Sequence, residues 1–339
     1  MKVRTKVPVS VIIPNFNRAD LVGQTISCIL AQTVEPLEII VVDDGSTDSS
    51  REVISAFGNR VKLITQANQG PGAARNAGFR ASSGEFIWFM DSDDLASENK
   101  IEAQYRVLAG SKYDFAYCPW IRCRISDDTM RFCSQVLQAE PLPDKKPMLE
   151  WFLSGWSLVF QNCLFRRSAI EKAGPYRTDL MPSEDSELFI RILRSGAEGI
   201  FTPDCMVFYR EHNSNKITGA GTTGNARLRD WTNFLTITGQ ALAAQLPSMK
   251  FSTKLALSSS VRSHLRACRE NGLVQLESNH PYLDLIQRYP AMFLIVHDLM
   301  NRVERKIKGY PDFLTAFRSR RPGPAEAALA EGIGYKTVF

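Results

Sequence analysis

In its N-terminal third the chain reads Phe86-Ile87-Trp88-Phe89-Met90-Asp91-Ser92-Asp93-Asp94. The apolar run predicts a buried β-strand, and three carboxylates follow it within four residues. Because anions at the end of a buried strand repel one another, a fold keeps them only with a compensating cation or a strong hydrogen-bond network. Carboxylate oxygens on a loop suit Mg²⁺ or Mn²⁺, and a solvated turn that caps the next helix is the alternative interpretation.

The segments on either side of this strand alternate between strand and helix patterns. Apolar runs at 9–13, 38–42 and 61–65 predict three further strands. The helices predicted from the spacing of apolar residues are 19–32, 48–57, 72–81 and 97–109. Near-continuous apolar strands that alternate with helices indicate an α/β fold in which a parallel sheet is covered on both faces.

Clusters of polar residues end three of the predicted strands, namely Asn15–Asn17, Asp43-Asp44 and Asp91–Asp94. Sheets of this kind bind their ligands beyond the carboxyl ends of the strands, so a shared edge favours one binding site over three unrelated turns. Asp43-Asp44 suits hydrogen bonding to a base or a ribose, and turn formation with Gly45 is the alternative. No G-x-G-x-x-G follows the first strand and no G-x-x-x-x-G-K-[ST] is present, which disfavours dinucleotide-binding and P-loop proteins.

Beyond residue 114 the alternation fades, with strands predicted at 114–118, 121–125 and 158–165. Segment Ser183–Gly196 has the cap, acidic first turn and terminal glycine of a helix, which explains Glu184 and Asp185 without any catalysis. A lone histidine after a strand, as at His212, is usually a surface or satisfied residue, although it could be a metal or phosphate ligand. From about residue 225 the pattern is helical.

Composition is that of an ordinary globular protein: 339 residues, 44% hydrophobic, 23% charged and a net charge of +5. This mild excess gives no reason to expect a nucleic-acid partner. Residues 1–8 lead directly into the first predicted strand, so no secretory signal is expected, and no apolar run reaches the roughly 18 residues of a membrane-spanning helix. Seven cysteines without a C-x-x-C pair predict reduced thiols, so a cytoplasmic protein is expected.

Positive charge is concentrated in residues 301–321, where seven Lys or Arg stand against two acidic residues. A basic segment that contains aromatic residues could rest on an anionic membrane, here the inner face of the plasma membrane. A solvated helix face is the alternative. The composition of residues 322–339, with Pro322, Pro324 and several alanines, allows a poorly ordered tail.

Several motifs together resemble family 2 glycosyltransferases with the GT-A fold. In chain order they are Val9–Asn17, Val41–Asp48, Asn68–Gly78, the D-x-D at Asp91-Ser92-Asp93, Glu184-Asp185 and Tyr209–His212. None is specific alone, but the ordered set is, and it covers roughly residues 7 to 215. The resemblance implies a GT-A nucleotide-binding sheet flanked by helices. The helical C-terminal region, which the pattern after about residue 225 predicts, lies outside the resemblance.

The domains expected from this resemblance begin with a catalytic domain over residues 1–215. Its nucleotide-binding half would span about 7–113 and its acceptor half about 114–215. The helical region would then occupy 216–321, and the tail 322–339.

The resemblance also assigns roles to residues. Pro14, Phe16 and Asn17 would line the nucleotide pocket, and Asp44, with Asp43 beside it, would contact the base, usually uracil. Arg75 would hold the nucleotide or its phosphates, and Asp91 would contact the ribose or a metal-bound water. Asp93 would be the main metal ligand, with Asp94 as an alternative ligand and His212 completing the metal or diphosphate site. Asp185 would be the general base.

The activity implied is inverting, metal-dependent transfer of a hexosyltransferase type, using Mn²⁺ or Mg²⁺. The donor would be a nucleotide sugar, most often a UDP-sugar in this family. The acceptor would be a glycan, a lipid-linked glycan or a protein, in surface polysaccharide or glycolipid assembly. Two alternatives are a catalytically silent nucleotide-sugar-binding scaffold and a sugar-1-phosphate nucleotidyltransferase. The latter class has a loop rich in Gly and Arg after its first strand, and Pro14-Asn15-Phe16-Asn17 is not such a loop.

Overall fold

A computed structural model describes residues 4–144, 146–154, 156, 158–212, 224–273, 280–288 and 320–338. Its strands, in chain order, are β1 (Lys6–Asn15), β2 (Glu35–Asp43), β3 (Lys62–Thr65), β4 (Phe86–Phe89), β5 (Leu95–Ala96), β6 (Phe115–Tyr117), β7 (Trp120–Ser126), β8 (Thr129–Phe132), β9 (Cys163–Arg166), β10 (Gly199–Phe201), β11 (Val207–Arg210) and β12 (Lys336–Val338). Its helices are α1 (Ala19–Leu30), α2 (Ser50–Ser55), α3 (Pro71–Arg80), α4 (Lys100–Leu108), α5 (Met148–Leu153), α6 (Arg167–Ala173), α7 (Glu184–Arg194), α8 (Gly224–Leu242), α9 (Phe251–Glu270), α10 (Pro281–Arg288) and α11 (Pro324–Gly332).

The larger sheet has seven strands in the order β10-β6-β9-β4-β1-β2-β3. Strands β1 to β4 are mutually parallel where they pair, as predicted. Beyond residue 114, where the predicted alternation fades, the sheet is mixed, because β9 runs antiparallel to both β4 and β6. Strand β9 also begins later than predicted, at Cys163, since Phe160–Asn162 forms a 3₁₀ turn ahead of it.

Both faces of this sheet are buried, which explains why its central strands read as continuous apolar runs. Side chains alternate along β4: Phe86 and Trp88 pack on one face, Ile87 and Phe89 on the other. The first face is covered by α1, α2 and α4, and the second by α6 and α7. Helix α3 packs against β1 and β2. The polar residues that follow each central strand therefore share one edge of a rigid platform.

A smaller sheet, in the order β12-β8-β7-β11-β5, was missed by the sequence analysis apart from β7 and β11. It includes the chain end: β12 pairs in parallel with β8, and Ala330 of α11 lies in the same apolar cluster as Met130. The poorly ordered tail expected over residues 322–339 is therefore corrected. Leu329, Ala330 and Ile333 supply an apolar face, and burying it against this sheet offsets the entropy of ordering the segment.

The C-terminal helices pack onto the α/β body rather than standing apart from it. Phe234 and Leu235 of α8 share an apolar cluster with Leu180 and with Ile190 of α7. The division into domains 1–215 and 216–321 stays a prediction. Most of the basic segment, residues 301–319, lies outside the described residues, as do residues 213–223.

Two properties bear on the expected environment of the protein. Among the residues that the structure describes, none of the helices combines the length and the apolar character needed to cross a bilayer. All seven cysteines are free thiols, and Cys133 alone is exposed.

Candidate functional site

A cleft of about 430 Å³ opens at the edge where β1, β2 and β4 end, beside the first turns of α3 and α7. It gathers residues from seven separate stretches of the chain. The sequence-predicted residues on its wall are Pro14, Phe16, Asp44, Arg75, Asp91, Asp93 and Asp185. Four other predicted residues, Asn17, Asp43, Asp94 and His212, lie behind or beside this wall and contact residues that form it.

The carboxylates after β4 form one cluster. Asp91, Asp93 and Asp94 each offer an oxygen atom, and these atoms lie within 4.8 Å of one another. Oxygen ligands of Mg²⁺ lie about 2.1 Å from the ion, so neighbouring and opposite ligands are roughly 3 to 4 Å apart. The hard oxygen donors suit a divalent cation of the Mg²⁺ or Mn²⁺ kind, and they already lie close to the separation that such an ion requires.

Each carboxylate of this cluster is also oriented by a neighbour. The Nε2 atom of His212 lies 2.9 Å from Asp93 Oδ2, and Arg18 Nε donates to the same oxygen at 3.2 Å. Asp94 is buried and accepts from the Arg210 backbone N–H at 2.8 Å. The structure thus places His212 beside Asp93, and its part in a metal or diphosphate site stays a prediction. The structure adds Arg18, which follows Asn17 directly but carried no recognisable signal.

Gln161 joins the two outer carboxylates of the cluster. Its Nε2 donates to Asp91 Oδ2 at 2.7 Å and to Asp94 Oδ2 at 2.6 Å. Gln161 lies in the 3₁₀ turn before β9, some 70 residues along the chain, and belongs to none of the motifs. Sequence reasoning had no means of finding it.

Arg75, on α3, links the acid cluster to the predicted base. Its Nη2 donates to Asp91 Oδ1 at 2.8 Å, and its Nη1 lies 3.0 Å from Glu184 Oε1 and 3.5 Å from Asp185 Oδ1. Tyr176 stacks beneath the guanidinium, which lies 5.4 Å from the ring centroid. Burial alone lowers the pKa of Arg75, but the charges of Asp185, Asp91 and Glu184 outweigh it and raise the pKa well above its usual value.

Two of the carboxylates around Arg75, those of Glu184 and Asp91, have raised pKa values. Burial raises the pKa of Glu184 to about 7, with a further contribution from the charge of Asp185. Burial likewise raises the pKa of Asp91 to about 6, and the nearby charge of Arg75 offsets only part of that effect. Groups with shifted pKa values that share a cleft are typical of active sites.

Asp185 lies in the first turn of α7 and reaches the cleft, with 30% of its side chain exposed. Among the described residues, its Oδ1 has no hydrogen-bond partner, and neither has Glu184 Oε2 nor Arg75 Nε. Buried polar atoms are normally paired, so these three atoms can accept hydrogen bonds from, or donate them to, a polar ligand that enters the cleft. Glu184 was explained from the sequence as part of a helix cap. The structure instead makes it the closest partner of Arg75 on α7.

On the opposite side of the cleft, Asp44 fixes a loop. It accepts hydrogen bonds from the backbone N–H groups of Gln69 (3.0 Å) and Gly70 (2.8 Å) and from Gln66 Nε2 at 2.8 Å. It remains on the cleft wall. Gly45 adopts φ 78° beside it, where a Cβ would lie 2.9 Å from the Asn68 backbone nitrogen. Glycine at this position therefore lets β2 end against the loop.

Asp43 and Asn17 stabilise this wall from behind. Asp43 is buried and accepts from the Ser46 backbone N–H at 3.1 Å and from Arg51 Nε at 3.0 Å. The Oδ1 atom of Asn17 accepts from the Thr47 backbone N–H at 2.8 Å. These contacts shape the ends of β1 and β2, and direct contacts of either residue with a nucleotide stay predictions.

Comparison with known proteins defines the family. The family model described as "Glycosyl transferase family 2" matches residues 10–174. An uncharacterized glycosyltransferase of Rickettsia typhi is 30% identical over 220 residues, which is 63% of this chain and 67% of that protein. The chain belongs to glycosyltransferase family 2, as the motifs predicted.

Other relatives match over shorter lengths. An uncharacterized glycosyltransferase of a Nostoc species is 47% identical over 107 residues, 30% of this chain and 33% of that protein. Glycosyltransferase GlyG of Streptococcus pneumoniae is 40% identical over 119 residues, 32% of this chain and 40% of GlyG. The matched part of the chain thus covers well under half of these two relatives.

Solved structures confirm the fold. The crystal structure of S. aureus TarS 1–349 in complex with UDP-GlcNAc has a TM-score of 0.56 at 17% identity, covering 84% of this chain and 82% of that one. The form of TarS 1–349 in complex with UDP gives 0.53 at 16% identity, covering 78% and 73%. At this identity the likeness concerns the fold alone, and it is the α/β fold of GT-A type that the sequence predicted.

Proposed function

We propose that this protein transfers a sugar from a nucleotide sugar to an acceptor hydroxyl, with inversion at the anomeric carbon and with help from a divalent cation. The observation that carries the proposal is the bridge made by Arg75. One guanidinium contacts both Asp91, in the acid cluster, and Asp185, the predicted base. The two chemical functions that the reaction needs therefore lie within the reach of one donor substrate.

The acid cluster is the cation site in this proposal. Asp93 would hold the ion, with Asp94 or His212 as further ligands, and Gln161 and Arg18 orient the carboxylates. A bound Mn²⁺ or Mg²⁺ supplies positive charge to the diphosphate of the donor as it leaves. Asp91 is reserved for the ribose or for a metal-bound water, in keeping with its place between Arg75 and Gln161.

The nucleotide would lie along the wall formed by Pro14, Phe16 and Asp44. Phe16 is 41% exposed, an unusual exposure for a phenylalanine, and offers a face on which a base can stack. Asp44 would accept from the base, and Arg75 would contact the nucleotide or its phosphates. A UDP-sugar is the donor favoured by the family resemblance, which associates Asp44 with uracil.

Asp185 would act as the general base. An acceptor hydroxyl is a weak nucleophile near neutral pH, and a carboxylate in hydrogen-bond reach takes its proton as the new bond to the sugar forms. Attack from the side opposite the leaving diphosphate inverts the anomeric centre, so an α-linked donor gives a β-glycoside. The acceptor would be a glycan, lipid-linked glycan or protein hydroxyl. It would enter from the half formed by residues 114–215.

The experiment that tests the proposal is a screen of UDP-, GDP- and dTDP-sugars for hydrolysis or transfer, with Mn²⁺ and with a chelator. Turnover that depends on the metal and is lost in Asp93→Ala supports it. Asp204→Ala is the matched control, because Asp204 is exposed and does not line the cleft. Metal-dependent nucleotide binding by calorimetry without turnover on any donor would instead favour a scaffold. Metal-dependent turnover unchanged in Asp93→Ala would show that the ion is held elsewhere.

A further inference from the structure

The segment that leads into α7 is held by a side chain from the C-terminal helices. The carboxylate of Asp230, on α8, accepts from the Met181 backbone N–H at 2.5 Å and from the Ser183 backbone N–H at 3.1 Å. The Ser183 hydroxyl also donates to it. One buried carboxylate thus satisfies three donors within three residues, directly before Glu184 and Asp185.

These contacts stand in place of the usual N-cap hydrogen bond at the start of α7. Ser183 occupies the N-cap position of α7, where a serine oxygen normally accepts a backbone N–H from the first turn. Here its side chain makes no such cap bond, and its hydroxyl donates to Asp230. The first turn of α7 is therefore positioned from outside by α8.

Apolar packing supports the same connection. Phe234 lies one helical turn after Asp230, so the two side chains project from the same face of α8. Phe234 is buried in a cluster that includes Leu180, just before the held segment, and Ile190 within α7. The hydrogen bonds of Asp230 and the neighbouring apolar contact of Phe234 together restrict the movement of α7 relative to α8. Met181 and Pro182, which belong to the segment held by Asp230, line the cleft.

We propose that Asp230 is a positioning residue for the transfer reaction: it holds the start of α7 so that Asp185 stands against Arg75 at the cleft. The inference rests on the proposed function, in which Asp185 is the general base. It makes the helical region a working part of the active site rather than an appended domain. Asp230 lies outside every motif of the family resemblance.

The test compares the steady-state kinetics of Asp230→Ala and Asp230→Asn in the full chain. Displacement of a catalytic group by about 1 Å can lower a rate by on the order of 100-fold, so kcat of Asp230→Ala should fall by roughly 10- to 100-fold. The donor KM and the calorimetric affinity for UDP with Mn²⁺ should stay within about 2-fold, because the hydrogen bonds of Asp230 go to the segment before α7 and not to Pro14, Phe16 or Asp44 of the nucleotide wall. Asparagine keeps one acceptor oxygen, so Asp230→Asn should recover part of kcat.

Asp179→Ala is the matched control. Asp179 lies only two residues before Met181, but it is exposed and pairs with Arg177 at 2.6 Å, so its loss should leave kcat unchanged. Wild-type kcat in Asp230→Ala overturns the inference, as does an equal loss of kcat and UDP affinity. If Asp230→Ala does not fold, a folded Asp230→Asn with wild-type kcat overturns it as well. An inactive wild-type protein would instead contradict the proposed function.

Discussion

Arg75 brings one positive charge to three carboxylates, those of Asp91, Glu184 and Asp185. The imbalance explains why Asp91 and Glu184 keep raised pKa values in spite of a guanidinium at hydrogen-bond distance: burial and mutual repulsion outweigh it. A diphosphate entering such a cleft would add further negative charge. We therefore expect UDP to bind well only together with a divalent cation at the acid cluster.

Because of Glu184, the free energy of unfolding should depend on pH. The pKa of this carboxyl is about 7 in the folded protein and 4.5 when unperturbed, so between these values the folded chain binds the proton and the unfolded chain does not. Stability contributed by Glu184 is thus present at low pH and falls as pH rises through this window, by on the order of 3 kcal/mol. Glu184→Gln has no proton to lose, and its stability relative to wild type should rise from pH 5 to pH 8.

Urea unfolding of both proteins at pH 5, 6, 7 and 8 checks this difference. Glu187→Gln is a suitable comparison, since Glu187 is also buried on α7 but is paired with Arg191 at 2.7 Å. Parallel stability curves for wild type and Glu184→Gln would contradict the prediction.

Asp185→Asn separates chemistry from binding. The amide keeps the shape of the side chain but cannot take a proton, and general-base assistance is typically worth 10²- to 10⁴-fold, so kcat should drop by about that factor. UDP affinity with Mn²⁺ should be retained. Single-turnover kinetics and calorimetry on the same preparation make the comparison. Equal loss of both properties would mean that Asp185 serves only to start the helix.

At the scale of elements, the sequence predicts what is periodic and misses what is short. Strands β1 to β4 and the helices between them follow from long apolar runs and helical spacing. Strand β5, Leu95–Ala96, has two residues, too few to show any period, and β10 has three. The sequence points to Asp93 because it follows a strand end, and to both Asp93 and Arg75 because they lie in motifs of the family resemblance; both residues line the cleft. Gln161 and Asp230 act through tertiary contact alone.

The loop between β3 and α3 packs against Gly45, and the effect of a methyl group there can be compared with that at Gly58. Gly45 has φ 78° and Gly58 has φ 60°, so alanine is strained at both, by about 1–2 kcal/mol. At Gly58 a Cβ would meet no atom within 4 Å, whereas at Gly45 it would press on the backbone of the loop at Asn68. Gly45→Ala should therefore be the less stable variant.

The same pair of variants tests the nucleotide wall. Because Asp44 fixes that loop through the Gln69 and Gly70 N–H groups, Gly45→Ala should also weaken UDP binding, while Gly58→Ala should not. Thermal unfolding and calorimetry give the two readouts. Equal destabilisation by both variants, with equal UDP affinity, would show that the loop accommodates the methyl group.

Over the whole molecule, residues 320–338 return to the smaller sheet. Arg320 pairs with Glu326, the Val136 backbone bridges to Arg320, and β12 extends the sheet beside β8. A deletion from residue 301 onward would therefore also strip α11 and β12 from the smaller sheet and expose its apolar cluster. A membrane role for the basic segment has to be tested by changing charge, not by truncation.

We expect a variant with Arg302, Arg305, Lys306 and Lys308 changed to Gln to bind anionic vesicles more weakly than wild type. Each basic residue near an anionic surface is worth about 1 kcal/mol, so losing four should weaken vesicle binding by at least 10-fold at low salt. Vesicle flotation with and without phosphatidylglycerol measures it. A control variant neutralises four exposed basic residues elsewhere, namely Lys62, Arg106, Lys112 and Arg266. The same loss in both variants would mean that net charge, not this segment, attracts the membrane. Unchanged binding in the first would refute its docking role.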